Sequence, residues 1–150
     1  MKSNGMTSKL TVATELLDRA LYLYFEGNSY FASLNLAGVA EEILGAYITH
    51  NGGVSSFTSM RDGAVRLSKH IDESGIASKQ GDISDLMNHA KNSTKHMNNL
   101  NDSLISFDAK YEAEAMLERA VSNYYFLMAH SAFGLEITEL ISRFNARLSA

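Results

Sequence analysis

The chain has no cysteine and no proline in 150 residues. Without cysteine it has no disulfide, no thiolate metal site and no thiol nucleophile, a composition compatible with the cytoplasm. Without proline it lacks a residue that turns in all-β and α/β domains commonly use, which points to long helices joined by Gly, Asn and Ser. No apolar run approaches the roughly 20 residues of a membrane span, and Met1 to Leu10 carries no signal-peptide core. A cytoplasmic protein with no membrane partner is expected.

What is present fits a folded domain. A hydrophobic fraction of 45% and a charged fraction of 20% argue against wholesale disorder. The length suits a single domain over residues 1–150, with 1–7 as a flexible N-terminus, and it is long enough to bury a real core. The net charge of −4 argues against coating nucleic acid through an overall field, so any such contact would be local.

Apolar spacing predicts an all-α, up-and-down bundle of five to six helices. After Thr7-Ser8, the positions Leu10, Ala13, Leu17, Ala20 and Tyr24 recur at threes and fours until Gly27-Asn28. Ser29 is placed to cap a second helix over about Tyr30 to His50, closed by Asn51-Gly52-Gly53 and rich in small residues suited to a central position. A weaker third helix spans about Phe57 to Glu73. Asp82 is read as the cap of a fourth, running to about Asn101, and Asp108 opens a fifth. In the last segment the stripe Ala113, Met116, Leu117, Ala120, Tyr124, Leu127 falls out of step with Phe133, Ile137, Leu140, Ile141, Phe144, so a break is expected near Gly134.

The fourth helix carries the most informative stretch. Between Asp85 and Asp102 the only formal charges are Lys91 and Lys95, with His89 and His96 able to add to them. At about 100° per residue, Ile83, Leu86, Met87, Ala90, Thr94, Met97 and Leu104 gather on one side, read as the core side. His89, His96, Asn88, Asn92, Asn99, Lys91 and Lys95 gather on the other, with His89, Asn92, His96 and Asn99 in a line. Asparagine is a poor helix former, so such a face suits hydrogen bonding to a neighbouring helix, a second copy or an anionic ligand. Plain solvation is the bland alternative.

Other chemistry finds less support. A di-iron bundle uses Glu-x-x-His pairs, and no histidine here has a glutamate three positions before it. Glu41 and Glu42 instead suggest one carboxylate paired with a buried partner such as Arg119 or Lys91, the other solvated. No Gly-rich phosphate loop or nucleophile elbow is present. The aromatic residues near Tyr24 and Tyr124 fit a helix core better than base stacking. Tyr22 and Tyr125 lie off the main stripes, as an interface or core edge would require, and His130 is expected to be half-buried.

Lys91-Asn92-Ser93-Thr94-Lys95-His96 resembles the Arg-polar-x-x-x-His motif of HEPN domains, small all-helical nucleotide-binding and ribonuclease modules of toxins and antiphage systems. The resemblance implies a homodimer and metal-independent, cofactor-free RNA cleavage where two motifs face each other, in a toxin or defence role that a partner such as an antitoxin could control. By position, Lys91 stands for the family arginine, Asn92 for the polar residue and His96 for the catalytic histidine, with Lys95, His89 and Asn99 as phosphate or partner contacts. His96 would take the proton of a ribose 2′-hydroxyl, whose oxygen attacks the adjacent phosphorus while Lys91 steadies the non-bridging oxygens. Lysine keeps the charge of arginine but not its planar fork. The departure at position 91 therefore leaves a second expectation open, a catalytically degenerate HEPN-like dimer that binds or assembles. A third is a helical dimer whose Asn face is simply its interface.

Overall fold

The computed structural model describes residues 5–147, so that part of the expected flexible N-terminus, 1–4, lies outside the described residues. Six α-helices and two single 3₁₀ turns make up the regular structure of the described residues. In chain order they are α1 (Lys9–Phe25), α2 (Tyr30–His50), α3 (Ser56–Ile71), α4 (Gln80–Lys95), α5 (Ala109–Met128) and α6 (Glu139–Arg147). The all-α helical bundle expected from the periodicity is the fold found.

The centre is α2, which packs mainly on α1 and α5. Leu34, Ala37, Ala40, Leu44 and Ile48 of α2 meet Leu17 and Leu21 of α1 and Leu117, Tyr124 and Leu127 of α5 in one buried cluster. Burying each Leu or Ile contributes roughly 1.5–3 kcal/mol, so this cluster is the main source of stability. α6 closes the cluster with Ile141 and Phe144 against α1. The α3–α4 pair lies on the flank of α2 and α5; α3 buries none of its residues fully, and α4 buries only Ala90 and Lys91.

Local signals explain most boundaries. Ser8, Ser55 and Asp108 accept hydrogen bonds from the first-turn amides of α1, α3 and α5. Ser29 stands at the start of α2 but makes no capping bond; its hydroxyl donates to the Gly27 carbonyl instead. The break in the last segment is real. α5 ends at Met128, a 3₁₀ turn follows at Ser131–Phe133, and Gly134 takes φ +63° before α6.

The fourth helix departs from expectation at both ends. Its N-cap is Lys79, with Asp82 inside the first turn, where its charge favours the helix N-terminus. It stops at Lys95, and His96 adopts an extended backbone, φ −128° and ψ 142°. The side chains of Asn99 and Asp102 compete for the backbone beyond that point: Asn99 Oδ1 accepts from the Asn101 backbone amide at 2.9 Å, and the Asp102 carboxylate accepts from the Asn98 backbone amide at 3.3 Å. Met97 and Leu104, read as core positions on this helix, therefore lie beyond it and are exposed. Leu86 is within it and is also exposed, at 73%.

Candidate functional site

Lys91 does not share a face with His96. It follows Met87 by four residues and precedes Thr94 by three, so it stands on the inward side of α4 and is 3% exposed. Its stem lies against Gly38 of α2, where a Cβ would come within 2.5 Å of Lys91 Cδ. The ammonium ends on the carboxylate of Glu42, one turn further along α2. A cation so placed is neutralised within the fold. The reading that put Lys91 on the outward, anion-facing side is corrected, and Asn88, half-buried, moves inward with it.

The outward residues separate as well. Asn92, Lys95 and His89 are exposed on α4, and the His89 ring meets Phe107 edge-on at 6.4 Å between centroids. His96 and Asn99 are exposed but belong to the loop after the helix, so the expected line His89-Asn92-His96-Asn99 does not exist. His96 and Lys95 line a cleft of about 500 Å³ between the start of α2 and the end of α4, together with Phe31, Asn35 and Asp102. Asn35 ties the two walls by donating to Thr94 Oγ1 at 2.9 Å.

Lys91 instead lines a smaller cavity of about 290 Å³ with Glu41, Glu42, Thr49, Ser55, Phe57 and Asn88, among α2, the start of α3 and α4. Beneath it is a buried polar network. Glu41 faces Arg119 Nε of α5 at 4.0 Å, and both side chains are about 95% buried. Arg119 donates to the Met87 carbonyl at 3.3 Å, and its Nη2 lies 3.5 Å from Asn88 Oδ1. Asn123, 1% exposed, donates to the Glu41 carbonyl and accepts from the Ser56 amide at 2.9 Å, joining α2, α3 and α5. Burial holds the Glu41 carboxyl above its ordinary range, while Arg119 and Lys91 pull it down. Burial also holds Arg119 below its ordinary value, with Glu41 opposing.

The Glu41-Glu42 pair divides as expected, Glu41 buried against Arg119 and Glu42 solvated at 59% side-chain exposure, with the addition that Glu42 also receives the Lys91 ammonium. Arg119 and Lys91 were each named as a partner. Asn123 was overlooked, although its place three residues after Ala120 and four before Leu127 sets an amide on the apolar stripe of α5. His130, expected half-buried, is exposed and stacks on Phe126 at 5.0 Å. Among the described residues, no group of three or more His, Cys, Asp or Glu could hold a metal ion, and no helix is long and apolar enough to cross a membrane.

No protein-family model matches the chain, nor does any curated protein or solved structure.

Proposed function

We propose that the chain is a HEPN-like helical module that binds single-stranded RNA in the cleft at the end of α4 and does not cut it. The observation that carries this reading is the division of the motif. Lys91 is buried against Glu42, whereas Lys95 and His96 stand exposed at a cleft of about 500 Å³. Cleavage needs a cation at the phosphate while charge develops there, and Lys91 is held elsewhere. Binding needs only local positive charge and a stacking surface. Lys95 supplies the first, His96 adds a ring nitrogen able to hydrogen-bond, and Phe31, 48% exposed, supplies the second. A toxin or antiphage role with an antitoxin partner belongs to a cutting enzyme, so the same assay decides it.

The test is fluorescence anisotropy and gel analysis with a labelled single-stranded RNA. The parent chain binds, more weakly as salt rises, and leaves the RNA intact; Lys95→Glu with His96→Ala weakens binding about tenfold or more. Cleavage that is lost in His96→Ala would restore the ribonuclease reading. Absence of binding at low salt would remove the RNA reading altogether. Gain of cleavage in Lys91→Arg would place the site on a ribonuclease scaffold that lysine has silenced.

One observation favours assembly as a second reading. Leu86, Met97, Leu100 and Leu104 are all exposed beside the motif, and a second copy of the chain would cover them. Sedimentation of the parent and an Asn92→Glu, His96→Glu chain separates the two. Loss of a dimer without change in RNA binding favours assembly.

A further inference from the structure

The α3–α4 hairpin is attached to the bundle differently from the other helices. From the start of α3 to the end of α4, Ala90 is the one member of the buried apolar cluster, and no half-buried apolar residue of this stretch packs against that cluster among the described residues. The seam is polar instead. Lys91 ends on Glu42, Asn35 donates to Thr94 Oγ1 at 2.9 Å, Arg119 donates to the Met87 carbonyl at 3.3 Å, and Ser56 Oγ donates to the Arg119 carbonyl at 2.9 Å. Water can satisfy each of these groups when the seam parts, so the net cost of parting is small beside that of exposing the leucines of α1, α2 and α5.

Within the hairpin the two helices hold each other. Each is the other's chief neighbour; Gln80 Nε2 donates to Asp62 at 3.2 Å, and the Ser78 amide donates to Ser68 Oγ at 2.8 Å. Both ends are loops. Asn51-Gly52-Gly53, with Gly52 at φ +82°, precedes the hairpin, and 96–108, with a single 3₁₀ turn, follows it. The hairpin also supplies part of the cleft at His96: Ser93, Thr94 and Lys95 line it from α4, and Phe31, Ala32 and Asn35 line it from α2. Parting the seam takes Lys95 away from Phe31.

We propose that α3 and α4 form an arm that leaves the rest of the bundle as one unit, that the Lys91–Glu42 pair is its latch, and that the cleft exists only while the arm is closed. The gating of RNA rests on the RNA reading above, whereas the arm itself does not. Once detached, two helices of 16 residues each without a core are marginal in water, so their amides exchange with solvent.

Hydrogen–deuterium exchange of the whole chain, read by peptide mass spectrometry, tests the arm. In the parent, the slowest amides of α3 and α4 share one level of protection, about a hundredfold or more below that of the slowest amides of α2 and α5. Glu42→Gln leaves the buried Lys91 ammonium without its carboxylate and lowers protection about tenfold in both arm helices, although Glu42 bonds only to α4 across the seam. Val121→Ala, in the apolar cluster on α5, lowers protection of α2 and α5 about tenfold and leaves the arm unchanged, because the cluster is intact when the arm is open. Arm amides as slow as those of α2 and α5 would overturn the proposal. So would unrelated levels in α3 and α4, or an equal effect of Val121→Ala on the arm. If Glu42→Gln fails to fold, Asn35→Ala loosens the other end of the seam and is read in the same way.

The gate is tested by adding single-stranded RNA. At about a hundred times its Kd, RNA raises the protection of the arm about a hundredfold, since only the closed arm binds it. Unchanged protection with RNA demonstrably bound would overturn the gate. Absence of RNA binding would remove the RNA reading and the gate together, and exchange in the free chain would still decide the arm.

Discussion

Gly38 of α2 and Lys91 of α4 are fitted to each other: a Cβ at position 38 would stand 2.5 Å from Lys91 Cδ and 3.1 Å from its Cγ. The glycine leaves a groove for the lysine stem, and Glu42 receives the ammonium at the end of it. This contact turns the most suggestive residue of the motif inward. It also couples a helix-weakening residue on α2 to the placement of α4.

Gly38→Ala therefore destabilises the protein, because overpacking costs about 1–3 kcal/mol and outweighs the gain of about 1 kcal/mol from better helix propensity. In a Lys91→Ala background the clash is gone, and the same substitution becomes neutral or stabilising by up to about 1 kcal/mol. Urea denaturation of the four chains of this cycle measures the coupling. Equal effects of Gly38→Ala in both backgrounds would show that the lysine does not occupy the groove.

Glu41 predicts a pH dependence of stability. Burial, the largest cause, raises its folded pKa above the ordinary 4.5, so the folded state holds this proton more tightly than the unfolded chain. The stability linked to it is fully present below 4.5 and is lost as pH rises through the raised folded value. Glu41→Gln removes this component. Its urea midpoint, followed upward from pH 4.5, falls less than that of the parent. A parallel decline in both chains would contradict the buried placement of Glu41.

Tyr24 and Glu114 predict the opposite trend. The Tyr24 hydroxyl donates to Glu114 Oε2 at 2.5 Å, which together with Arg147 holds the carboxyl below its ordinary value. Burial and the same carboxylate push the tyrosine up to about 12. Stability from Glu114 is present above its ordinary 4.5 and is lost as pH falls through the lowered folded value. Tyr24→Phe costs about 1 kcal/mol near neutral pH, a modest figure because Glu114 is partly solvated. That difference from the parent shrinks in acid, as parallel chemical denaturation at several pH values would show.

Leu86 separates two arrangements of α4. Its exposure of 73% predicts that Leu86→Ala changes stability by no more than about 0.5 kcal/mol. A core position would lose about 2–5 kcal/mol on the same change. Thermal or urea melting distinguishes them.

The helices were legible in the sequence to within a residue or two wherever an apolar stripe was strong and a cap was present. α2 ran as expected from Tyr30 to His50, and Asp108 opened α5. α4 was less legible because a half-turn error on a short, weakly apolar helix moves every flanking residue. Lys91 looked outward because lysine usually is. The vacancy that admits it is a glycine 53 residues earlier, in another helix, and no local pattern on α4 reports that. The end of α4 was misplaced for a related reason. Spacing alone continued the stripe through Met97 to Leu104, whereas the side chains of Asn99 and Asp102 direct the backbone into a turn. The buried network of Glu41, Arg119 and Asn123 was half legible, since its charges invited pairing but its amide was concealed among core residues.

The division of the motif into an inward Lys91 and an outward Lys95 and His96 is tested most directly by amine labelling. The folded chain is treated briefly with a water-soluble acylating reagent and the extent at each lysine is read by peptide mass spectrometry. Lys95 is modified readily, while Lys91, 3% exposed and held by Glu42, is protected until the protein is denatured. Labelling of Lys91 in the folded chain at the rate of Lys95 would contradict the account and return Lys91 to the anion-facing side.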